Sequence, residues 1–342
     1  MAEDRSNTDA PPPQPPPPAR RPDSGAIVGC GVIGAGWAAR LRLNRVPVRV
    51  YDPGPDIPRI LDEVWSQAVT AWEELGLPTD TAGSLTVCDS VGDAVEGAEL
   101  IQESVPETLE LKCRVLGQID EAADSEAIIG SSTSGLRCSL LGQSLANPER
   151  LVVAHPFNPV YLLPLVEVVG GEQTSAETIE RAMAAYRGLG MKPLHVRVEI
   201  DAHIADRLLE AVWRESLWLV NDGVATTEEI DDAIRYGFGL RWAQMGVFET
   251  YRIAGGEGGF GHFMSQFGPT LSWPWTKLMD TPELTDELIG HLETQSDAQS
   301  GAHTIRELER LRDRNLVAIM AALEANDWGA GQSVASMRDL LD

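Results

Sequence analysis

The stretch Ala26-Ile27-Val28-Gly29-Cys30-Gly31-Val32-Ile33-Gly34 decides the fold. Its three leading apolar residues are typical of a buried strand, and Gly29-x-Gly31-x-x-Gly34 follows directly, before a helical pattern around Trp37. Glycines at this spacing allow a tight turn and leave backbone N–H groups exposed at a helix start, where a pyrophosphate can bind. The stretch therefore predicts the first strand–turn–helix unit of a dinucleotide-binding sheet. The expected cofactor contacts within it are Gly29, Gly31, Val32, Ile33 and Gly34.

A second apolar run, Val46 to Tyr51, ends in an acidic residue roughly 20 residues after the last glycine. This residue, Asp52, is the expected acceptor for the ribose hydroxyls of the cofactor. Pro53-Gly54-Pro55 follows it, and no arginine stands there to hold a ribose phosphate. The sequence therefore predicts NAD rather than NADP.

Strand and helix patterns alternate from the glycine loop to about Asp201. This alternation predicts an α/β fold with a Rossmann-type doubly wound parallel sheet. Beyond that point apolar residues recur at helical spacing, and Thr226 with Glu229 and Thr304 with Glu307 form capping boxes, so an all-helical C-terminal domain is expected. The predicted strands are Ala26 to Val28, Val46 to Tyr51, Leu85 to Val87, Leu100 to Gln102, Ala127 to Ile129 and Leu151 to Ala154.

The domain organisation follows from these patterns and from the N-terminal composition. Eight of the 22 prolines lie in the first 22 residues, where almost nothing apolar is available to form a core. We expect a disordered proline-rich tail over 1–24, an NAD-binding sheet domain over 25–202, and a helical domain over 203–342.

The charge balance limits the classes of partner that the protein is expected to bind. The chain has 52 acidic against 27 basic residues, a formal net charge of −25. Nucleic acids and anionic membrane surfaces are bound through clustered basic charge, so neither is an expected partner. The four cysteines have no metal-ligand spacing and no apolar run has the length of a membrane helix, so we expect reduced thiols, no metal site and a cytoplasmic protein.

Three polar segments follow the later strands. Glu103-Ser104-Val105-Pro106-Glu107, with Lys112, comes after the fourth strand, Ser131-Ser132-Thr133-Ser134 after the fifth, and His155-Pro156-Phe157-Asn158-Pro159 after the sixth. Glu167 stands twelve positions after His155, inside the apolar run Leu165-Val166-Glu167-Val168-Val169. Residues of these types at strand ends are candidates for a catalytic site.

Together these segments resemble the 3-hydroxyacyl-CoA dehydrogenase family, in which a serine, a histidine, a glutamate and an asparagine surround a 3-hydroxyl group beside NAD. The resemblance extends from about Gly25 to the end of the chain. It implies that His155 is the general base, that Glu167 orients it and that Ser134 donates a hydrogen bond to the reacting oxygen. It also implies a homodimer formed through the helical domain. Glu107 and Lys112 are expected at the cofactor.

The chemistry of the residues agrees with these roles. Oxidation of an alcohol needs a base with a pKa near neutrality close to the hydroxyl, and histidine fits without special tuning. A carboxylate inside an apolar strand needs a partner, and a histidine that becomes cationic in the transition state is a suitable one for Glu167.

The position of the family's asparagine is occupied by a different residue in this chain. Asp206 stands where the family has asparagine before Arg-Leu-Leu, and Ala202-His203 replaces a Gly-Phe pair. Asp206 either faces a cationic substrate or is an acid in the first turn of a helix, where it favours the positive end of the dipole. His203 is either a second titratable group at the site or a packed residue at the domain junction.

The region after the second strand bears on the substrate. The stretch from Ile57 to Leu77 carries Asp62, Glu63, Glu73 and Glu74 against one base, Arg59, and should repel the phosphates of coenzyme A. The helical domain is rich in aromatic residues, including Phe238 and Trp242 in the glycine-flanked segment 237–242, with a similar segment at 258–263. We expect irregular backbone in these segments to present ring faces to a cation.

These aromatic segments, with Tyr161-Leu162-Leu163-Pro164 and the stretch 266–278, resemble the carnitine-oxidising branch of the family. The resemblance implies a small 3-hydroxy acid with a trimethylammonium group, L-carnitine, as the substrate. A hydroxyacyl-CoA or gulonate-type 3-dehydrogenase and a non-catalytic NAD-binding relative remain alternatives. Expected substrate contacts are Asn158, Phe157, Tyr161, Phe238 and Trp242, and the candidates for binding the substrate carboxylate are Ser134, Asn158, Lys112 and Arg137.

Overall fold

The computed structural model describes residues 17–243, 245–255, 257, 259–267 and 302–341, together with 274, 276, 283, 285–288 and 290. The predicted α/β fold is confirmed: one eight-stranded, mostly parallel sheet is flanked by helices and followed by a helical region. The strands are β1 Gly25–Val28, β2 Val48–Tyr51, β3 Leu85–Val87, β4 Leu100–Glu103, β5 Ile128–Ser131, β6 Leu151–Pro156, β7 Leu165–Gly170 and β8 Lys192–Val196.

The strand order is β3-β2-β1-β4-β5-β6-β7-β8. The six predicted strands form the parallel part, because each crossover helix returns the chain to the same edge of the sheet. β7 then runs antiparallel to β6, and β8 pairs in parallel with β7. The order reverses at β1, so the carboxyl ends of β1 and β4 diverge into a crevice of the kind that binds ligands in such sheets.

The helices cover both faces of the sheet and then continue beyond it. α1 buries Trp37 and α2 buries Trp72, and both rings belong to one apolar cluster on the sheet face that also includes Tyr186 of α6. The helices of the sheet domain are α1 Val32–Leu43, α2 Ile57–Glu74, α3 Val91–Val95, α4 Leu109–Ala122, α5 Cys138–Gly142 and α6 Ala176–Gly188. Those that follow are α7 Ala205–Asn221, α8 Thr227–Ala233, a π-helical turn Ile234–Phe238, α9 Gly239–Trp242, α10 Val247–Ala254, α11 Gly259–Phe267, α12 Ile305–Glu324 and α13 Ala330–Leu341.

Both predicted capping boxes are confirmed, since Thr226 with Glu229 and Thr304 with Glu307 cap α8 and α12 in reciprocal fashion. The expectation of irregular backbone is confirmed only in part. Gly237 has non-helical dihedral angles, but the second glycine-flanked segment forms helix α11 from Gly259 onward. The helical period there is continued by Phe263 and Phe267, which stack on each other at 5.0 Å between ring centroids. Of the stretch 266–278, the structure describes residues 266, 267, 274 and 276, and the rest lies outside the described residues.

The last two helices return to the sheet domain. The Tyr161 hydroxyl donates to Asp313 of α12, and Arg338 of α13 donates to the carbonyl oxygens of Leu75 and Gly76 at the end of α2. Met337 packs against Gly190, just before β8. The helical region therefore contacts the sheet domain through its start at α7 and through its C-terminal pair of helices.

The end of the proline-rich segment lies along the sheet domain. Arg20 donates from its backbone N–H to the carbonyl oxygen of Ala184, at 3.0 Å, and its guanidinium pairs with Glu99. Ser24 donates from its hydroxyl to the carbonyl oxygen of Gly97. Residues 17–24, expected within the tail, are thus attached to α6 and to the turn before β4, while 1–16 lie outside the described residues. In the described part of the chain, no helix has the length and apolar character needed to cross a membrane.

Candidate active site

The glycine loop has the geometry that a dinucleotide requires. Gly29 has φ +94°, and a Cβ there would lie 2.7 Å from the carbonyl carbon of Ser104. A Cβ on Gly34 would lie 1.8 Å from the carbonyl oxygen of Gly29, so both positions exclude a side chain. Gly31 in contrast faces open space, and α1 begins after it without a side-chain cap. The first N–H groups of α1, including those of Val32 and Ile33, are therefore placed for a pyrophosphate.

Asp52 closes this loop from the end of β2. Its Oδ2 accepts the backbone N–H of Cys30 at 2.7 Å, and its Oδ1 accepts that of Gly54 at 2.7 Å. Each carboxylate oxygen has a further lone pair, so the group can still accept from ribose hydroxyls. The residues present therefore fit NAD.

Lys112 belongs to a buried ionic cluster beneath the loop that follows β4. Its ammonium group donates to Glu103 at 3.0 Å and to the carbonyl oxygen of Val105 at 3.0 Å, and it lies 3.4 Å from Glu107. Lys112 and Glu103 are both fully buried. The ammonium group of Lys112 is directed at these three residues, and this placement does not support its expected role in binding a substrate carboxylate.

Glu107 joins the loops after β4 and β5. Its Oε1 accepts the hydroxyl of Thr133 and the backbone N–H groups of Ser134 and Gly135, at 3.0 and 3.1 Å for the two N–H groups. Burial acts to raise the pKa of Glu107, but the hydrogen bond from Thr133 and the charge of Lys112 outweigh it, so its pKa lies below the ordinary value. An ionised Glu107 thus holds the backbone of Ser134, which sequence reasoning placed at the reacting oxygen.

His155 and Glu167 form the centre of the site. They are register partners on the antiparallel strands β6 and β7, and His155 Nδ1 lies 3.0 Å from Glu167 Oε2. Because an ionised carboxylate only accepts hydrogen bonds, Nδ1 carries the hydrogen and Nε2 is left as an acceptor. Burial acts to raise the pKa of Glu167, but the hydrogen bonds from His155 and from the helix start outweigh it and hold the pKa below its usual value.

The start of α7 is built onto the same carboxylate. Oε1 of Glu167 accepts the backbone N–H groups of Ile204 and Ala205, each at 2.9 Å. This contact fixes Asp206 in the first turn, with its Oδ2 3.7 Å from His155 Nε2. It also fixes His203, which is buried with its ring centroid 5.8 Å from that of His155. Sequence reasoning left open whether these two residues belong to the site, and the structure brings both of them to His155.

The remaining predicted residues divide into two groups. Phe157 lies beside His155, with 5.1 Å between ring centroids, and Asn158 is exposed in the next position. Tyr161 in contrast is buried, with its hydroxyl directed at Asp313. This placement does not support a substrate contact, because the hydroxyl joins α12 to the sheet domain instead. Arg137 forms an ion pair with Asp201 at 3.3 Å.

Phe238 and Trp242 pack on each other at 4.5 Å between ring centroids. They lie where the π-helical turn meets α9, in a set of short helices that pack mainly on one another and on α7. In the described part of the chain, the structure does not bring this aromatic pair into contact with His155.

Arg40 is a positioning residue that sequence reasoning missed. It is buried in α1 and donates to the carbonyl oxygens of Val160 and Leu163, at 3.0 and 3.1 Å. Burial lowers its pKa to about 9. A basic residue in an otherwise apolar helix run, Trp37-Ala38-Ala39-Arg40-Leu41, was the available signal. Its contacts anchor the loop that carries Phe157 and Asn158.

A doubly wound sheet with a glycine-rich dinucleotide loop and a His–Glu pair at the strand ends is the architecture of an NAD-binding dehydrogenase. Family models agree: the NAD-binding domain of 3-hydroxyacyl-CoA dehydrogenase matches residues 25–200, and the C-terminal domain of the same enzyme matches residues 203–291. The chain belongs to the 3-hydroxyacyl-CoA dehydrogenase family, and its cofactor is NAD.

Several individual proteins are similar to this chain in sequence over most of its length. An L-carnitine dehydrogenase/betainyl-CoA thioesterase of Ruegeria pomeroyi is 62% identical over 307 residues, which cover 90% of this chain and 63% of the relative. The chain thus spans less than two thirds of that protein. An L-carnitine dehydrogenase of Mesorhizobium japonicum is 56% identical, covering 90% of this chain and 86% of the relative. Among solved structures, a 5-formyl-3-hydroxy-2-methylpyridine 4-carboxylic acid 5-dehydrogenase, an NAD+-dependent dismutase, has a TM-score of 0.74 at 30% identity, covering 88% and 98% of the two chains.

Proposed function

We propose that the protein oxidises the 3-hydroxyl of L-carnitine to the ketone of 3-dehydrocarnitine, with His155 as the general base. The observation that carries the proposal is the His155–Glu167 pair, because it leaves His155 Nε2 as an acceptor at the carboxyl end of β6, on the same edge of the sheet as the glycine loop. The similarity to two proteins named L-carnitine dehydrogenase supports the choice of substrate.

The proton and the hydride leave the substrate for two different acceptors. The hydroxyl proton moves to Nε2 of His155 as the C3–H bond breaks. Bound NAD supplies the acceptor for the hydride from C3. Glu167 stabilises the imidazolium that forms, since its carboxylate already accepts the Nδ1 hydrogen. Ser134, held by Glu107, donates to the oxygen that becomes the carbonyl.

Charge supports a cationic substrate over an acyl-CoA. Along α2, Asp62, Glu73 and Glu74 are exposed, which disfavours the phosphates of coenzyme A, whereas the charge of Glu63 is paired with Arg59 and Arg306. Asp206 adds a negative charge beside His155. The aromatic pair Phe238 and Trp242 lies apart from His155, and its ring faces are of the kind that binds a quaternary ammonium group without its hydration shell.

The domain division is part of the proposal. Residues 25–202 would hold NAD and the His–Glu pair, and the region from 203 onward would supply Asp206 and the cation site. We also propose a homodimer, because large apolar side chains of the helical region are exposed in a way that isolated soluble domains rarely show. The exposed side chains include Leu208, Leu209, Trp213, Tyr236, Leu240 and Phe248. Light scattering of the purified protein should give twice the mass of one chain, and a monomer at micromolar concentration would refute the dimer.

Isotope transfer tests the reaction directly. L-carnitine deuterated at C3 should yield NADH that carries one deuterium at the nicotinamide C4, detected by mass spectrometry, with 3-dehydrocarnitine as the other product. His155→Gln is the matched control, because it keeps the fold and removes the base. Failure of the wild-type protein to form NADH from carnitine would refute the proposed function.

A further inference from the structure

The proton accepted by His155 has to leave a buried position in every turnover. The side chain of His155 is 6% exposed, and that of Glu167 is fully buried. Glu167 is also a poor route, because Oε2 is bonded to His155 and Oε1 to two backbone N–H groups of the α7 start. The imidazolium has to lose this proton before His155 can accept another one in the next oxidation.

Asp206 lies between His155 and solvent. Its Oδ2 is 3.7 Å from Nε2, the atom that receives the substrate proton, and its side chain is 20% exposed against 6% for His155. The backbone around it is fixed, since the N–H of the preceding residue, Ala205, is bonded to Glu167. Among the described residues, Asp206 is the acidic group that both reaches Nε2 within 4 Å and contacts solvent.

We propose that Asp206 is the proton exit of the active site, which carries the substrate proton from His155 to water. The inference rests on the proposed function and adds a role for one residue of that site. In the first step the hydroxyl O–H bond breaks and the Nε2–H bond forms, while the hydride leaves with its electron pair to NAD. In the second step the Nε2–H bond breaks and an O–H bond forms on Asp206 Oδ2. In the third step water takes the proton, and both side chains return to their starting states.

The surroundings of Asp206 favour such a transfer. Four titratable groups face it: His155, Glu167 of β7, His203 before α7, and Glu210 one turn further along α7. Burial raises the pKa of Asp206, and the charges of Glu167 and Glu210 add to this effect while His155 and His203 oppose it. The net effect is a raised pKa, which brings the carboxylate closer to imidazole in proton affinity. An asparagine at this position could hold a substrate by a hydrogen bond but could not carry a proton.

The test compares two variants of the full chain under saturating L-carnitine and NAD. Asp206→Asn keeps the shape and removes the proton acceptor, and kcat should fall on the order of 10²-fold. The kcat of Asp206→Ala should fall by a similar factor, but the shorter side chain leaves room for a small acid to bind in its place. Added acetate should restore the kcat of this variant. Formate is a weaker base and should restore less of it, and chloride should restore none. Asp206→Glu should keep most of the activity.

The control is Glu215→Gln, which removes one negative charge from the same helix more than two turns beyond Asp206, at a residue outside the four groups that face it. We expect its kcat to be unchanged and insensitive to acetate. Calorimetric NAD binding confirms that each variant is folded. Equal restoration by formate, acetate and chloride would show that Asp206 acts only through its charge, and an undiminished kcat in Asp206→Asn would show that it carries no proton. Either result overturns the proton exit while the wild-type activity stands, whereas an inactive wild-type protein would refute the proposed function itself.

Discussion

His155 and Glu167 lie directly opposite each other across the antiparallel pairing of β6 with β7, and their side chains meet at 3.0 Å. Opposite residues of an antiparallel pair project from the same face of the sheet. The alignment of the imidazole is therefore set by strand register in the sheet core and does not depend on a loop. The same carboxylate anchors the start of α7, so one buried side chain orients the base and attaches the helical region to it.

Replacement of His155 tests the base. His155→Gln should lower kcat by about 10²–10⁴-fold, since general-base removal has costs of this order. NAD affinity should stay unchanged, because the glycine loop and Asp52 are not altered. Steady-state kinetics and calorimetric NAD titration make the comparison. Turnover close to that of the wild type would transfer the role to another group, with His203 as the nearest.

Replacement of Glu167 tests both of its contacts. Glu167→Gln should lower kcat less than His155→Gln does, and should also destabilise the attachment of α7. The pKa of Glu167 is lowered in the folded state, so its contribution to stability is present above the ordinary carboxyl pKa of about 4.3 and disappears as the pH falls through the folded value. The difference in free energy of unfolding between wild type and variant should therefore be largest near neutrality and shrink in acid. A difference that does not depend on pH would limit Glu167 to packing.

Lys112 should be essential for stability rather than for contact with the substrate. Lys112→Met leaves the fully buried Glu103 without its ammonium partner, and removal of one member of such a pair costs about 3–5 kcal/mol. Urea unfolding measures this loss. The double variant Glu103→Gln with Lys112→Met should recover much of the stability, because no uncompensated charge remains. A single variant as stable as the wild type would place Lys112 outside the fold's ionic cluster.

The cofactor preference should follow Asp52. A phosphate on the ribose 2′-oxygen would meet a carboxylate already held in place by Cys30 and Gly54. The ratio of kcat/KM for NAD to that for NADP should therefore strongly favour NAD and should decrease in Asp52→Asn. Comparable efficiency with both cofactors in the wild-type protein would contradict this interpretation of the loop.

Local sequence patterns were sufficient to predict the features that depend on residues close together in the chain. The glycines of 29–34, the strand–helix alternation and the capping boxes each have a short-range physical cause, and all were predicted. The pairing of Glu167 with His155 was implied by the family resemblance, and the need of a carboxylate in an apolar strand for a partner agreed with it.

Long-range packing could not be predicted in the same way. The contact of Tyr161 with Asp313 joins residues more than 150 positions apart and has no local signature. Tyr161 was therefore expected at the substrate, whereas the structure places its hydroxyl against α12. Lys112 was expected at a ligand from the family resemblance, and nothing in its own segment shows that Glu103, Glu107 and Val105 converge on it. β8 was not predicted, since its run from Lys192 to Val196 includes a proline and a histidine.

We expect this site to select a 3-hydroxy acid with a cationic head, and one comparison of substrates tests this selectivity most directly. Catalytic efficiency with L-carnitine should exceed that with 3-hydroxybutyrate by well over tenfold, because a quaternary ammonium group over a desolvated ring gains about 2 kcal/mol and the negative charge of Asp206 adds to it. The same ratio should be smaller in Trp242→Leu, which keeps an apolar side chain and removes the ring. Equal efficiency with the two substrates in the wild-type protein would contradict the account.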